Sequence, residues 1–441
     1  MRIGIIGGGI SGLTTAFLLK EKGFDCVVLE AAQTSGGCIQ TDTIENRIYE
    51  NGPNSLLLTE SHLDLINRLG ITNELLEAEG VNKDRFILRN GKYRILPSGP
   101  QNFFSNSFFS WSSKFKIMTE FWRKNKPSSE IESLYDFINR RFNDEICDYA
   151  LDPFVSGIYA GDAKKLAVKA AFPALYEAEK EYGSIIKGMI KSSKKNKEKG
   201  APTQRKKAFS FKKGLSTFID GLSSKVEVKL NTKVVDIKKE GDQFKIITDK
   251  DTLLFDKVIV TSSAHTTAQF IKNLLPSISK QLNNLYAPPM CIVHSVYKKD
   301  DIERPIGFGG LNPLLEKTFT SGSIWSSCIF PNRAGADEVL VTSFVGGVQR
   351  AKNTLLSEDE IKSNVKLELA KTLDFNEEPV FQKIYKWEKA IPQYSAEILK
   401  LWDDLETNAI PNLYFNANWK GGISVPNCID NSIKLVDSLD K

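Results

Sequence analysis

The chain opens with a short apolar run, residues 3–6, that has the length of a buried parallel strand. Behind it Leu13, Ala16, Phe17 and Leu19 recur at helical spacing, marking one face of a helix that ends near Lys22-Gly23. A second apolar run, 26–29, predicts another buried strand. A helix is expected from about 61 to 68. Two alternating runs, 85–89 and 92–96, then flank Asn90-Gly91, a strong hairpin signal. From 97 to about 205 the pattern is mostly helical. It changes period at Phe209, and strands are expected near 226–230, 233–238 and 244–248. The apolar run 256–261 reads as a return to the first sheet. Residues 288–395 mix helix with strands near 293–297 and 339–345. The chain closes on a strand at Leu413-Tyr414-Phe415, a glycine turn and a helix through Leu435.

The join between the first strand and the first helix carries the chemistry. It reads Gly7-Gly8-Gly9-Ile10-Ser11-Gly12, a G-x-G-x-x-G pattern. Gly7 permits a tight turn, Gly9 lets backbone approach a pyrophosphate, and Gly12 lets helix and strand pack closely. The free N–H groups and positive dipole end of the helix suit the phosphates. Glu30 ends the second strand eighteen residues after Gly12, where an acid can accept hydrogen bonds from a ribose hydroxyl. Alone, the glycine pattern is a weak signal. With strand, turn, helix, strand and acid all at the required spacing, it predicts an α/β, Rossmann-like dinucleotide-binding domain.

Bulk composition narrows the setting. At 441 residues the chain exceeds one compact core, so two or three domains are expected. Its 41% hydrophobic and 26% charged residues are those of a globular protein. No apolar run is long enough to span a bilayer. With the first strand expected from residue 3, no leader peptide is expected. A cytoplasmic protein is expected, or one peripheral to the inner face of the cell membrane. Cys26, Cys38, Cys147, Cys291, Cys328 and Cys428 are scattered without a CxxC or metal-ligand spacing, so reduced thiols and no metal are expected. His62, His265 and His294 lack any motif partner and read as structural. Between 187 and 213 stand eleven Lys or Arg and one acid, Glu198. Aromatics join that run only at Phe209 and Phe211, so nucleic acid is not expected. A solvated loop or attraction to anionic lipid fits it. Phe103, Phe104, Phe108, Phe109 and Trp111, followed by a lysine-bearing segment to Trp122, fit either a core or a surface dipping into a bilayer interface.

Past Glu30 the chain runs Ala31-Ala32-Gln33-Thr34-Ser35-Gly36-Gly37-Cys38. This second glycine pair resembles the extended fingerprint of FAD-dependent oxidases of the amine-oxidase type. Those usually carry Arg where Thr34 and Cys38 stand, which weighs against an ordinary amine oxidase. A second resemblance is more specific. The block 152–162, DPFVSGIYAGD, with Leu166, Lys169-Ala170-Ala171-Phe172 and Gly183-Ser184-Ile185-Ile186, resembles the protoporphyrinogen oxidase family, most closely its plant-type and bacterial branch. So do Gly52-Pro53-Asn54-Ser55, FSFKKGL at 209–215, Asn418, and Gly421-Gly422-Ile423-Ser424-Val425.

That resemblance implies oxidation of a porphyrinogen to a porphyrin, six hydrogens leaving in three two-electron transfers to FAD, with oxygen or another acceptor reoxidising the flavin. The chemistry then resides in the cofactor, which accounts for the lack of an evident nucleophile. By the same resemblance the cofactor set takes in Gly7, Gly8, Gly9, Ile10, Ser11, Gly12, Glu30, Ala31, Gly36, Gly37, Cys38, Gly52, Pro53, Asn54, Ser55, Val234 (through its backbone), Trp387, Ile423, Ser424 and Val425. The implied substrate set is Arg85, gripping a propionate by two parallel hydrogen bonds, with Asn54, Phe308, Leu311, Ile324, Ser326 and Phe344. The expected domains are 1–70 with 205–285 and 400–441 for FAD, 71–97 with 286–399 for substrate in a mixed α+β arrangement, and a helical, membrane-facing 98–204. A homodimer is compatible with this pattern. The rival readings are a coproporphyrinogen oxidase on the same scaffold, an amine or carotenoid-type flavin oxidoreductase, and a flavin-free lipid-escort protein. Gly9, Glu30 and Gly36-Gly37 argue against the last.

Overall fold

A computed structural model of the chain describes residues 1–78, 85–97, 103, 105–124, 129, 131–198, 207–300, 302 and 307–439. Phe104 and part of the basic run 187–213 lie outside the described residues. The chain divides into two compact units. The first joins Met1–Glu77, Lys206–Tyr286 and Glu397–Lys441, and the second joins Ala78–Arg205 and Ala287–Ala396. The segment 98–204, expected as a domain of its own, falls within the second unit.

The first unit is built on five parallel strands in the spatial order Glu227–Lys229, Asp25–Leu29, Arg2–Ile6, Lys257–Val260, Leu413–Phe415. The expected return of the chain near 256–261 therefore lies beside the first strand, Ile3 opposite Lys257. Both faces of the central strand are covered, so beyond Arg2 it is apolar and Ile3 and Ile5 have no exposed surface. The first helix, Ile10–Glu21, and the last, Val425–Leu439, share one core that includes Leu13, Phe17, Leu65, Phe218 and Ile429. Each fully buried side chain of this size stabilises by about 1.5–3 kcal/mol.

His62 has the structural role expected of it. Its Nδ1 accepts the Thr59 N–H at 3.1 Å, closing the start of helix Glu60–Leu69. Its Nε2 then carries the proton and donates to Asp430 on the last helix at 2.9 Å.

The second unit holds a seven-stranded sheet in the order Phe381–Trp387, Met290–Lys298, Glu338–Gly346, Gly322–Ile324, Gly309–Leu311, Phe86–Arg89, Lys92–Ile95. The last two strands are the expected hairpin, with Asn90 and Gly91 at φ 55° and 73°, the left-handed pair of a type I′ turn. Cys291, Val293, Val339, Val341 and Val345 pack with Ile361, Val365 and Leu369 of helix Glu358–Leu373. Alternation along the strands leaves Leu311, Gly322, Ile324, Thr342 and Phe344 on the opposite face.

The helical part of this unit has a charged centre. Arg141, Glu120 and Glu179 have no exposed surface. Arg141 bridges Glu120 and Glu179, while Arg140 reaches Glu132 and Glu179 at 2.6 Å. Glu120 also accepts the N–H groups of Ile185 and Ile186, at 2.8 and 3.1 Å, at the start of helix Ile185–Glu198. Each carboxylate thus joins helices far apart in sequence. Losing one partner of such a buried pair typically costs about 3–5 kcal/mol, because the other charge is left uncompensated.

Candidate active site

The glycine turn is closed from two sides. Gly7, at φ 115°, donates its N–H to the Leu29 carbonyl at 2.9 Å, tying the turn to the second strand. A Cβ on Gly12 would overlap the Gly7 carbonyl oxygen, so the helix lies against the turn as closely as glycine permits. Gly36, at φ 125°, donates to the Gly8 carbonyl at 2.8 Å and forms a parallel bridge with Gly9. A Cβ on Gly9 would meet nothing nearer than Gly36 O and Gly37 Cα at 4.0 Å, so packing against the protein does not itself require glycine there. The geometry is a backbone cradle between two glycine pairs, which fits a pyrophosphate.

The expected acid is in place and pinned. Glu30 accepts the Gly8 N–H at 2.6 Å on one oxygen and the Ala32 N–H at 2.8 Å on the other. Each oxygen keeps a lone pair for a ribose hydroxyl. Thr232 donates its N–H to the Glu30 carbonyl at 2.8 Å, two residues before Val234. A Cβ on Gly52 would overlap the Cys38 carbonyl oxygen, so the stretch 52–55 packs on the loop after the second glycine pair. Asn54 donates to Gly52 O at 3.1 Å. At the other end of the sheet Ser424 accepts the Asn427 N–H at 3.2 Å and caps the last helix, with Ile423 and Val425 half-buried beside it. These residues fit a flavin dinucleotide in donor chemistry and backbone clearance.

In the second unit three of the expected substrate residues, Leu311, Ile324 and Phe344, share one face of the sheet. Leu311 pairs with Gly322, and Gly322 pairs with Phe344, so glycine leaves a gap between two half-buried apolar side chains. Ile324 lies one step along the same face, opposite Thr342. Arg85 stands just before strand Phe86–Arg89, its guanidinium 4.4 Å from the centroid of Phe308. Packing of that guanidinium lowers its pKa by desolvation without discharging it. Ser326 is buried, and its hydroxyl meets Thr342 Oγ1 at 2.8 Å, which in turn meets His294 Nδ1 at 3.0 Å. Asn54 belongs to the first unit, whereas Trp387, expected with the cofactor set, belongs to the second, opposite Met290.

Two positions that frame this face carry roles beyond what local pattern conveys. The stretch 152–162, rich in turn formers, is largely a helix, Asp152–Tyr159, continuing from a π-helical turn at Cys147–Leu151. A Cβ on its Gly157 would come within 2.9 Å of Leu311 Cδ2, so this helix lies directly on Leu311. Asp152 accepts the Leu314 N–H at 2.8 Å and also binds the Gln349 amide. The signal for both is the block DPFVSGIYAGD itself, whose glycine and acid have these partners.

A parallel sheet whose central strand runs into such a cradle, with a pinned acid at the next strand, is a dinucleotide-binding arrangement, and the family match makes it that of an FAD-dependent oxidoreductase. The chain matches the flavin containing amine oxidoreductase family over residues 10–433, and it belongs to that family, within its protoporphyrinogen oxidase group. It is 31% identical to protoporphyrinogen oxidase 2, chloroplastic/mitochondrial, of Arabidopsis thaliana, over 99% of this chain and 93% of that one. It is 28% identical to coproporphyrinogen III oxidase of Bacillus subtilis (strain 168), over 97% of this chain and 95% of that one. A crystal structure from Exiguobacterium sp. 255-15, provisionally named a protoporphyrinogen oxidase, superimposes with a TM-score of 0.80 at 20% identity, covering 100% of this chain and 98% of that one.

Proposed function

We propose that this protein oxidises protoporphyrinogen IX to protoporphyrin IX with FAD as its cofactor. The observations that carry the substrate reading are Arg85 seated over Phe308 and, in the same unit, the apolar face of Leu311, Ile324 and Phe344. A large apolar ring with carboxylate arms calls for that pairing of apolar wall and guanidinium. In this reading Gly7–Gly12 and Gly36-Gly37 hold the pyrophosphate, Glu30 the ribose, and Ile423–Val425 the ring end of the cofactor. FAD, when bound, supplies the two-electron oxidation. The chain's own tasks are to orient the macrocycle, keep water from it and hold a propionate on Arg85. Parallel turnover assays on protoporphyrinogen IX and coproporphyrinogen III test the assignment. Faster turnover of the second would move this chain to the activity for which its Bacillus relative is named, and turnover of neither would remove the porphyrinogen reading.

Attachment to the surface of a membrane belongs to the same proposal. Trp111, Phe115, Met118 and Trp122 are 76%, 60%, 45% and 70% exposed along and just past helix Trp111–Glu120. Lys116, Arg123 and Lys124 accompany them, a pairing of aromatic and basic residues suited to an anionic bilayer interface. Among the described residues no helix is long and apolar enough to cross a membrane.

A further inference from the structure

One buried polar group in the first unit has a bearing on the cradle that its sequence does not announce. Asn416 follows the edge strand Leu413–Phe415, and its backbone N–H donates to Val260 at 2.9 Å. Its side-chain amide donates one hydrogen to Thr15 Oγ1 at 3.0 Å and the other to Ser432 Oγ at 2.9 Å. Each hydroxyl, accepting from the amide, must turn its own hydrogen elsewhere. Thr15 donates to the Ser11 carbonyl at 2.7 Å, and Ser432 faces that same carbonyl at 3.1 Å and the Cys428 carbonyl at 2.9 Å. All four residues are buried: Thr15 and Ser432 at 0%, Asn416 at 4% and Ser11 at 6% exposure.

Threonine and serine often bond back to the carbonyl one turn earlier. What differs here is the amide that fixes both hydroxyls at once, from two helices, onto the first turn of the nucleotide helix. The Ser11 carbonyl shares its peptide plane with the Gly12 N–H. The first intrahelical bond is Leu13 to Gly9 at 3.0 Å, so the Gly12 N–H precedes the regular ladder and faces the helix start. Hydrogen bonds to a carbonyl strengthen the N–H across the same peptide as a donor.

We propose that Asn416, acting through Thr15 and Ser432, is a positioning residue for the diphosphate of the cofactor. It polarises the Ser11–Gly12 peptide and fixes the orientation of the first helical turn. The inference rests on the reading of that turn as the diphosphate cradle.

The test follows FAD release from diluted holoprotein by flavin fluorescence, with ADP as a competitor that carries the diphosphate without the flavin. Asn416→Leu and Asn416→Asp should weaken FAD and ADP alike by roughly tenfold or more. Thr15→Val and Ser432→Ala should each weaken both by about fivefold, and they keep the measurement available if the Asn416 variants do not fold. Thr15→Ser should restore binding. A lowered Tm at saturating FAD with unchanged constants would make Asn416 a core amide only, and would overturn the proposal. So would loss of FAD affinity with ADP unaffected, which places the effect at the flavin end. Wild-type protein whose FAD is not displaced by ADP at any concentration would instead overturn the cradle reading on which the inference stands.

Discussion

The Arg85 guanidinium sits over the Phe308 ring, 4.4 Å from its centroid, so an aromatic side chain helps hold the cation in place. A guanidinium can grip a carboxylate by two parallel hydrogen bonds. Such a partly desolvated pair is worth roughly 1.5–3 kcal/mol, or about a tenfold to hundredfold change in affinity. Arg85→Ala should therefore raise KM for protoporphyrinogen within that range, with a smaller loss of kcat and unchanged flavin content. Arg85→Lys should recover part of the loss, since an ammonium lacks the planar fork. Steady-state kinetics with a wild-type KM for the alanine variant would take Arg85 out of the site.

Gly9 and Gly12 should fail in different ways, because they are bare for different reasons. Gly9→Val puts a branched side chain into open space beside Gly36 and Gly37, so the fold should survive and the flavin should be lost. Gly12→Val drives a side chain into the Gly7 carbonyl, so both stability and flavin should fall. Absorbance spectra and circular dichroism of the purified variants separate the two. A yellow Gly9→Val protein would contradict the cradle.

The exposed aromatics of residues 111–122 should attach the protein to lipid. Co-sedimentation with vesicles containing anionic lipid is expected at low salt, weakening as salt screens the basic residues. Trp111→Ser together with Trp122→Ser should release the protein without altering turnover of a detergent-dispersed substrate. Wild-type protein that stays in the supernatant at low salt would make these residues an ordinary surface.

Glu145 gives the second unit a defined acid dependence. Burial works to raise its pKa, but hydrogen bonds from Ser110, Ser113 and Arg89 outweigh it and bring the value to about 2. An unfolded carboxyl titrates near 4.3. The folded state therefore favours the ionised form, and its stabilisation is full above about pH 4.3 and disappears as pH falls toward 2. Glu145→Gln should melt below wild type at pH 7, and the gap should close between about pH 4.3 and 2. A gap in Tm that stays constant over that window would mean the carboxylate charge contributes nothing.

What could be read from the sequence follows from the range of the interactions involved. Strand, glycine turn, helix and Glu30 lie within thirty residues, and local spacing suffices to place them. The hairpin at Asn90-Gly91 was equally plain, since its turn type follows from two adjacent residues. Glu30 is only partly legible: its spacing is right, but its bonds to Gly8 and Ala32 depend on how the turn folds back. The charged centre around Arg141 leaves no periodic trace, because Glu120 and Glu179 find it across 21 and 38 residues. Gly157 and Asn416 are further cases, each acquiring its role from a partner more than a hundred residues away.

The order of strands in the first sheet also sets a timetable for synthesis. The nucleotide helix needs Asn416 and the closing helix Val425–Leu439 before its inner face is covered. At about 5–20 residues per second, the ribosome delivers these tens of seconds after the glycine turn. Throughout that interval the N-terminal segment has exposed apolar surface and an unfinished cradle. Cofactor capture should thus come late in biogenesis, after an interval in which the N-terminal segment exposes apolar surface.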